Sequence, residues 1–241
     1  DHAVPLPDVH VRPDHPATSS CKVTLCMAGA VKLTDGWNPL LADLCKDLPG
    51  IIMNGSSPLF RMDQSTAALD RAIAALDTSG NGSVDSNDKQ CEFRIVGYSW
   101  GGINANGIAR DFLKDYRVSL SRRVVHKLIV IDPYRPGTSI KVPFGVVDFW
   151  EYRHTKSPSK DCSRNDWGGP YKGIRPKCQA TVRCRDYDFS LAPYEKFGSY
   201  SGSQVGHCTV INAAYWAVIH NLKWGKDYFR VPPKVPIVTF N

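Results

Sequence analysis

From residue 22 onward, short apolar runs alternate with stretches whose apolar residues recur every three or four positions. Residues 22–30 (KVTLCMAGA) form a continuous apolar run of strand length, and residues 50–54 a shorter one. Between them, Leu40, Leu41 and Leu44 have helical spacing within residues 37–47, and Pro49-Gly50 closes the pattern. Residues 65–76 (STAALDRAIAAL) carry Ala and Leu at three- and four-residue intervals and give the clearest helix. Residues 92–98 (EFRIVGY), 127–131 (KLIVI) and 146–152 (VVDFWEY) read as further strands, with a helix over about 102–116 between the first two. A last helix is expected over about 209–222. Apolar runs without polar alternation suit strands buried on both faces, and strand–helix alternation suits a parallel sheet. The expected fold is α/β, a mainly parallel central sheet of about five to six strands flanked by helices. Chemistry in such sheets gathers at the carboxyl ends of the strands.

Two regions fall outside this rhythm. Residues 1–20 are rich in Pro, Asp and His and are expected as an extended arm, with 21–241 as a single domain. Residues 153–206 are rich in Gly, Tyr and basic side chains and are expected as a lid or long loop stapled by cysteines. Composition adds a compartment. The eight cysteines lack the paired spacings of a zinc site, so disulfides in an oxidising environment are expected, with their pairing open. No apolar run approaches the ~20 residues of a membrane span, and the start lacks the basic and apolar regions of a signal peptide. A secreted, mature, monomeric protein is the expectation. The net charge of +7 comes from the second half, but its basic residues are scattered among Asp, Gly and Pro. A solvated surface is expected from that pattern, and no nucleic-acid partner.

The candidate chemistry begins at Gly97-Tyr98-Ser99-Trp100-Gly101. This G-x-S-x-G pentapeptide ends a strand and opens a helix with small residues, Gly101, Gly102 and Ala105. In a strand–turn–helix setting the tight turn presents the serine hydroxyl at the sheet edge. A serine is a poor nucleophile at neutral pH, so it needs a base, and the base needs a carboxylate to fix its tautomer.

With these residues the chain resembles the α/β-hydrolases of the lipase and esterase kind over residues 22–222. The resemblance implies a triad in the order Ser, acid, His, each after a strand. Ser99 is then the nucleophile. Asp132, at the end of KLIVI in Ile131-Asp132-Pro133, is the acid, with Asp148 as substitute. His207, just before the last helix, is the base, with His154 as the alternative. His126 precedes its strand and His220 sits inside the last helix, so neither is placed for the role. The oxyanion donors implied are the backbone N–H of Trp100 and that of Ala30 or Val31. A carboxylic ester, small or lipid, is the expected substrate, and no organic cofactor is expected. The same triad also serves amidases, peptidases and acyltransferases. A catalytically silent binding protein on this scaffold is the third reading.

Residues 77–88 (DTSGNGSVDSND) carry a second pattern. On a twelve-residue calcium loop, Asp77, Ser79 and Asn81 occupy positions 1, 3 and 5, and Gly82 the sharp turn. Ser83 offers its carbonyl at 7, while Asp85 and Asp88 occupy 9 and 12. A structural Ca²⁺ is expected here. Two departures are position 12, which is Asp rather than Glu, and the strand that follows where a helix is usual.

Overall fold

The computed structural model describes residues 21–29, 38–135, 137–155, 173–191, 206–207 and 209–225. Among these residues five strands form one sheet in sequence order: β1 (Lys22–Met27), β2 (Glu92–Tyr98), β3 (Val125–Ile131), β4 (Val146–Arg153) and β5 (Arg183–Asp188). Every neighbouring pair is parallel. Among the described residues four α-helices flank them: α1 (Asn38–Lys46), α2 (Ser65–Leu76), α3 (Trp100–Phe112) and α4 (Val210–Trp224).

Alternation along each strand divides the core. Leu25, Phe93, Ile95, Leu128, Val130 and Phe149 pack with α2 and α3 on one face. Cys26, Val96, Ile129, Ile131, Trp150 and Tyr152 pack with α1 and α4 on the other. Both faces of the central strands are therefore dry, which is why those strands read as largely apolar runs.

Three elements depart from the sequence-based expectation. Residues 50–54 make no full strand. Ile51 bridges Thr24 singly, through Thr24 N–H to Gly50 O (2.8 Å) and Ile52 N–H to Thr24 O (2.9 Å). Pro49 and Gly50 turn the chain here, and Gly50 has φ +70° with its Cα beside the Lys22 carbonyl. Strand β5, Arg-Cys-Arg-Asp-Tyr-Asp, lies inside the segment expected as a loop. It pairs with β4 over six residues and forms an edge of the sheet among the described residues. Helix α3 begins at Trp100, directly after Ser99, because the turn before it is a single residue wide.

Among the described residues, three disulfides brace the scaffold. Cys21–Cys91 joins the starts of β1 and β2, Cys26–Cys45 ties β1 to α1, and Cys178–Cys184 pins the approach to β5. No helix among the described residues is long and apolar enough to cross a membrane. The arm at 1–20 and much of the expected lid (156–172 and 192–205) lie outside the described residues.

The orientation of α4 sets up the site. Buried Arg94 on β2 donates to Leu222 O (2.7 Å) and Pro49 O (2.8 Å), and Lys127 on β3 donates to Asn221 O (3.0 Å). Two cations at the last carbonyls of α4 complement the negative end of its dipole. They fix that end over the starts of β2 and β3, so the helix begins near the strands' carboxyl ends. His207 lies just ahead of that beginning.

Candidate active site

The Gly-x-Ser-x-Gly turn is dictated by close backbone contacts. A Cβ on Gly97 would lie 2.3 Å from Gly101 O, and one on Gly101 would lie 2.3 Å from Ala28 O. Both obstacles are main-chain atoms, so neither position admits a side chain without moving the turn. Between them Ser99 adopts φ 54°, ψ −126°, a conformation that costs a non-glycine residue roughly 1–3 kcal/mol. The strain is held by main-chain bonds. Ser99 N–H donates to Ile131 O (2.9 Å), and Ser99 O accepts from Gly102 (2.9 Å) and Tyr134 (3.2 Å). Ser99 is buried but for 7% of its surface.

The Ser99 hydroxyl lies 2.8 Å from His207 Nε2, and His207 Nδ1 lies 2.5 Å from Asp132 Oδ2. The structure thus brings together Ser99, His207 and Asp132, which stand on three separate elements. Asp132 directly follows β3 and has φ 43°, a second positive-φ residue beside the sheet edge. Its N–H bonds Tyr152 O at 2.7 Å. His207 is held from several sides. Its carbonyl accepts the Tyr98 hydroxyl (2.8 Å), its ring stacks on Tyr98 with centroids 5.5 Å apart, and Tyr134 meets it edge-on at 6.0 Å. Next to it, Gly206 N–H donates to the Thr209 hydroxyl (2.9 Å).

Asp132 is fully buried. Burial alone would raise its pKa, but hydrogen bonds from His154 and His207 outweigh it and hold the carboxyl below the usual range. An ionised carboxylate accepts only, so both imidazoles present Nδ1–H to it. That leaves His207 Nε2 as the acceptor facing Ser99, the tautomer a general base requires.

The other candidates separate by position. His154 is fully buried, with Nδ1 2.9 Å from Asp132 Oδ1, so it reaches the acid and not the serine. Asp148 is ion-paired to Arg183 (2.6 Å) near the start of β4, away from the carboxyl end. His126 sits at the start of β3, its Nδ1 accepting Phe93 N–H (3.1 Å). His220 lies within α4, its ring 4.5 Å from that of Trp224. Trp100 is the first residue of α3, where the N–H has no acceptor within the helix and lies at the positive end of the dipole. Ala30 and Val31 lie outside the described residues. The neighbouring Gly29 N–H is occupied, donating to buried Asn38 Oδ1 (3.0 Å).

Asn38 and Gly173 are the site residues that the sequence did not single out. Gly173 N–H donates to His154 O (3.1 Å), and a Cβ there would lie 2.6 Å from Asp132 Oδ1. Nothing in the glycine-rich stretch around it distinguishes this glycine from its neighbours. Asn38 had one signal, its place at the start of the leucine-spaced helix after the first strand.

The 77–88 loop is a polar turn closed by its own amides. Asp77 Oδ1 accepts Gly80 N–H (2.8 Å) and Asn81 N–H (3.1 Å), and Oδ2 accepts Gly82 N–H (2.7 Å). Asp88 accepts Ser79 N–H and Asp85 N–H, both at 2.8 Å. The Asn81 amide donates to Asp85 Oδ2 (3.0 Å), and Asn81 Oδ1 accepts Ser83 N–H (2.9 Å). Among the described residues no group of three or more His, Cys, Asp or Glu side chains is placed to hold a metal ion. In this arrangement the Asp77 and Asp88 carboxylates accept the loop's own amides.

Comparison of the chain with protein families, with curated proteins and with solved structures finds no match.

Proposed function

We propose that this chain is a serine hydrolase of the α/β-hydrolase type that cleaves carboxylic esters through an acyl-enzyme. The observation that carries the reading is the continuous relay from Ser99 Oγ through His207 to Asp132, at 2.8 and 2.5 Å, mounted on a strained turn. In the proposed reaction His207 Nε2 takes the Ser99 proton as Oγ bonds to the acyl carbon. The carbonyl π-pair moves to oxygen, and Trp100 N–H donates to the oxyanion. Collapse re-forms the carbonyl and breaks the bond to the leaving alkoxide, which takes the proton from His207. Water, deprotonated by the same nitrogen, then attacks the acyl carbon; collapse breaks the bond to Ser99 Oγ, which takes the proton back from His207 as the acid leaves. Asp132 remains ionised throughout and stabilises the imidazolium.

A fluorophosphonate probe tests this directly, with p-nitrophenyl esters of several chain lengths beside it. Labelling of the wild type that is lost in Ser99→Ala, together with ester turnover, is the expected result. Labelled protein that cleaves anilides or transfers acyl groups, and not esters, would move the chain to an amidase or transferase. Folded wild type that does not label would sink the enzyme reading in favour of a binding protein.

Secretion is part of the proposal, supported by the three disulfides among the described residues, since disulfides persist in oxidising compartments. Calcium binding at 77–88 is proposed on ligand spacing alone and takes no part in the chemistry. A melting temperature that is the same in calcium and in chelator would dismiss it.

A further inference from the structure

We propose that His154 is a positioning residue, a second imidazole that clamps Asp132 so that one carboxylate oxygen is reserved for His207. The inference rests on the hydrolase reading above and adds a residue to it.

Asp132 divides its two oxygens between two histidines. Oδ2 meets His207 Nδ1, while Oδ1 accepts His154 Nδ1–H (2.9 Å) and the His154 backbone N–H (3.0 Å). The two donors of one residue grip the same oxygen. The third side of Oδ1 is closed by the chain, since Gly173 passes so near that a Cβ would lie 2.6 Å away. Gly173 in turn donates its N–H to His154 O at 3.1 Å. His154 is fully buried, so it cannot touch substrate, and its action on the reaction must pass through Asp132.

Chemistry explains what the clamp would do. A carboxylate bonded only to the base can swing about its terminal torsion, which has a broad energy well. Each swing would lengthen the contact to His207 and release the imidazole from the tautomer that faces Ser99. Fixing Oδ1 with two donors and a glycine wall removes that freedom. It also keeps the buried carboxylate ionised, because charge-assisted hydrogen bonds offset its loss of water. Charged groups about the pair among the described residues include Glu151 and Arg153 on β4, Asp186 and Asp188 on β5, and Arg175, which lies 3.9 Å from Asp186. Arg153 is bonded to Asp186 (2.8 Å) and lies 3.7 Å from Asp188, so its charge is directed along the sheet.

The test compares His154→Leu with His154→Asn. Leucine keeps bulk and has no donor; asparagine places its amide nitrogen where the imidazole Nδ1 stood. Competent Ser99 is first titrated with a fluorophosphonate, so that rates are expressed per active site and misfolded protein drops out. The expected result is a loss of about 10²-fold in kcat/KM for His154→Leu, the scale of a misplaced catalytic group, with KM little changed. The acid limb of its pH profile should move to higher pH, because Asp132 loses a donor and protonates more readily. His154→Asn should stay within a fewfold of wild type with the limb in place. If His154→Leu is insoluble, His154→Gln replaces it. Its amide reaches one bond further, and the same slow rate and displaced limb are expected. Wild-type rates and an unmoved acid limb in the Leu or Gln variant would overturn the clamp while leaving the hydrolase reading intact. A wild type that never labels overturns both.

Discussion

Two carboxyl groups are sealed in this protein on neighbouring strands, and the structure treats them in opposite ways. Asp132, just past β3, receives three N–H donors and is held below the ordinary carboxylate range. Glu151, in the middle of β4, is equally buried, and neither of its oxygens has a hydrogen-bond partner among the described residues. Its burial, reinforced by Asp186 opposite it in the β4–β5 register, pushes it well above that range. Arg153 opposes the shift but is itself bonded to Asp186. Burial is common to both groups. What separates them is whether the backbone and side chains around them point donors inward. The carboxyl ends of the strands, where main-chain N–H groups come free of the ladder, can supply such donors. Mid-strand positions cannot, since their amides are already paired.

Removing the charge of Asp132 is the most severe way to break this comparison. Asp132→Asn is expected to lower kcat by about 10⁴-fold, because its amide can donate to His207 Nδ1 and impose the wrong tautomer. Steady-state ester hydrolysis beside active-site titration measures it. Crowding the same carboxylate comes next. Gly173→Ala places a methyl 2.6 Å from Asp132 Oδ1, so a loss of about 10²-fold is expected with the fold retained. A variant as active as wild type would show that the chain at Gly173 yields freely.

Glu151 predicts the reverse. Glu151→Met keeps the volume and removes a desolvated polar group, so it should stabilise the fold by about 1–3 kcal/mol in urea unfolding. Loss of stability would mean that the carboxyl has a partner after all. The smallest effect is in the pH dependence. Because the folded pKa of Glu151 is raised, its contribution is fully present below the ordinary value of about 4.3 and is lost as pH rises above it. Because that of Asp132 is lowered, its contribution is present above about 4 and is lost as pH falls. Glu151→Met should therefore flatten the alkaline side of the stability curve and leave the acid side unchanged.

How much of this could be read from the chain follows from what each element buries. Strand β2 and helix α2 match their expected limits because their patterns are unbroken to the last residue. Strand β5 escaped notice because Arg183, Arg185, Asp186 and Asp188 give it no apolar run. An edge position lets pairing, rather than burial, decide such a segment. At the site, the glycine spacing around Ser99 carried its own explanation, since each glycine answers to a main-chain carbonyl. His154 and His207 both follow strands, and only packing in three dimensions assigns them to different oxygens of one acid. Gly173 is local in space to Asp132 and 41 residues away in sequence (173 − 132), so no window on the chain could have joined them.

The composition of β5 has a consequence for how copies of the protein behave together. An open sheet edge invites strand addition from another molecule, the first step towards fibrils and swapped dimers. Here the last strand of the described sheet carries Arg183, Arg185, Asp186 and Asp188, and Arg183 reaches across to Asp148 on β4 (2.6 Å). A second copy docking on this edge would have to strip water from those charges. The residues that hid the strand from a hydrophobicity reading would thus act as its guard against self-assembly at high concentration.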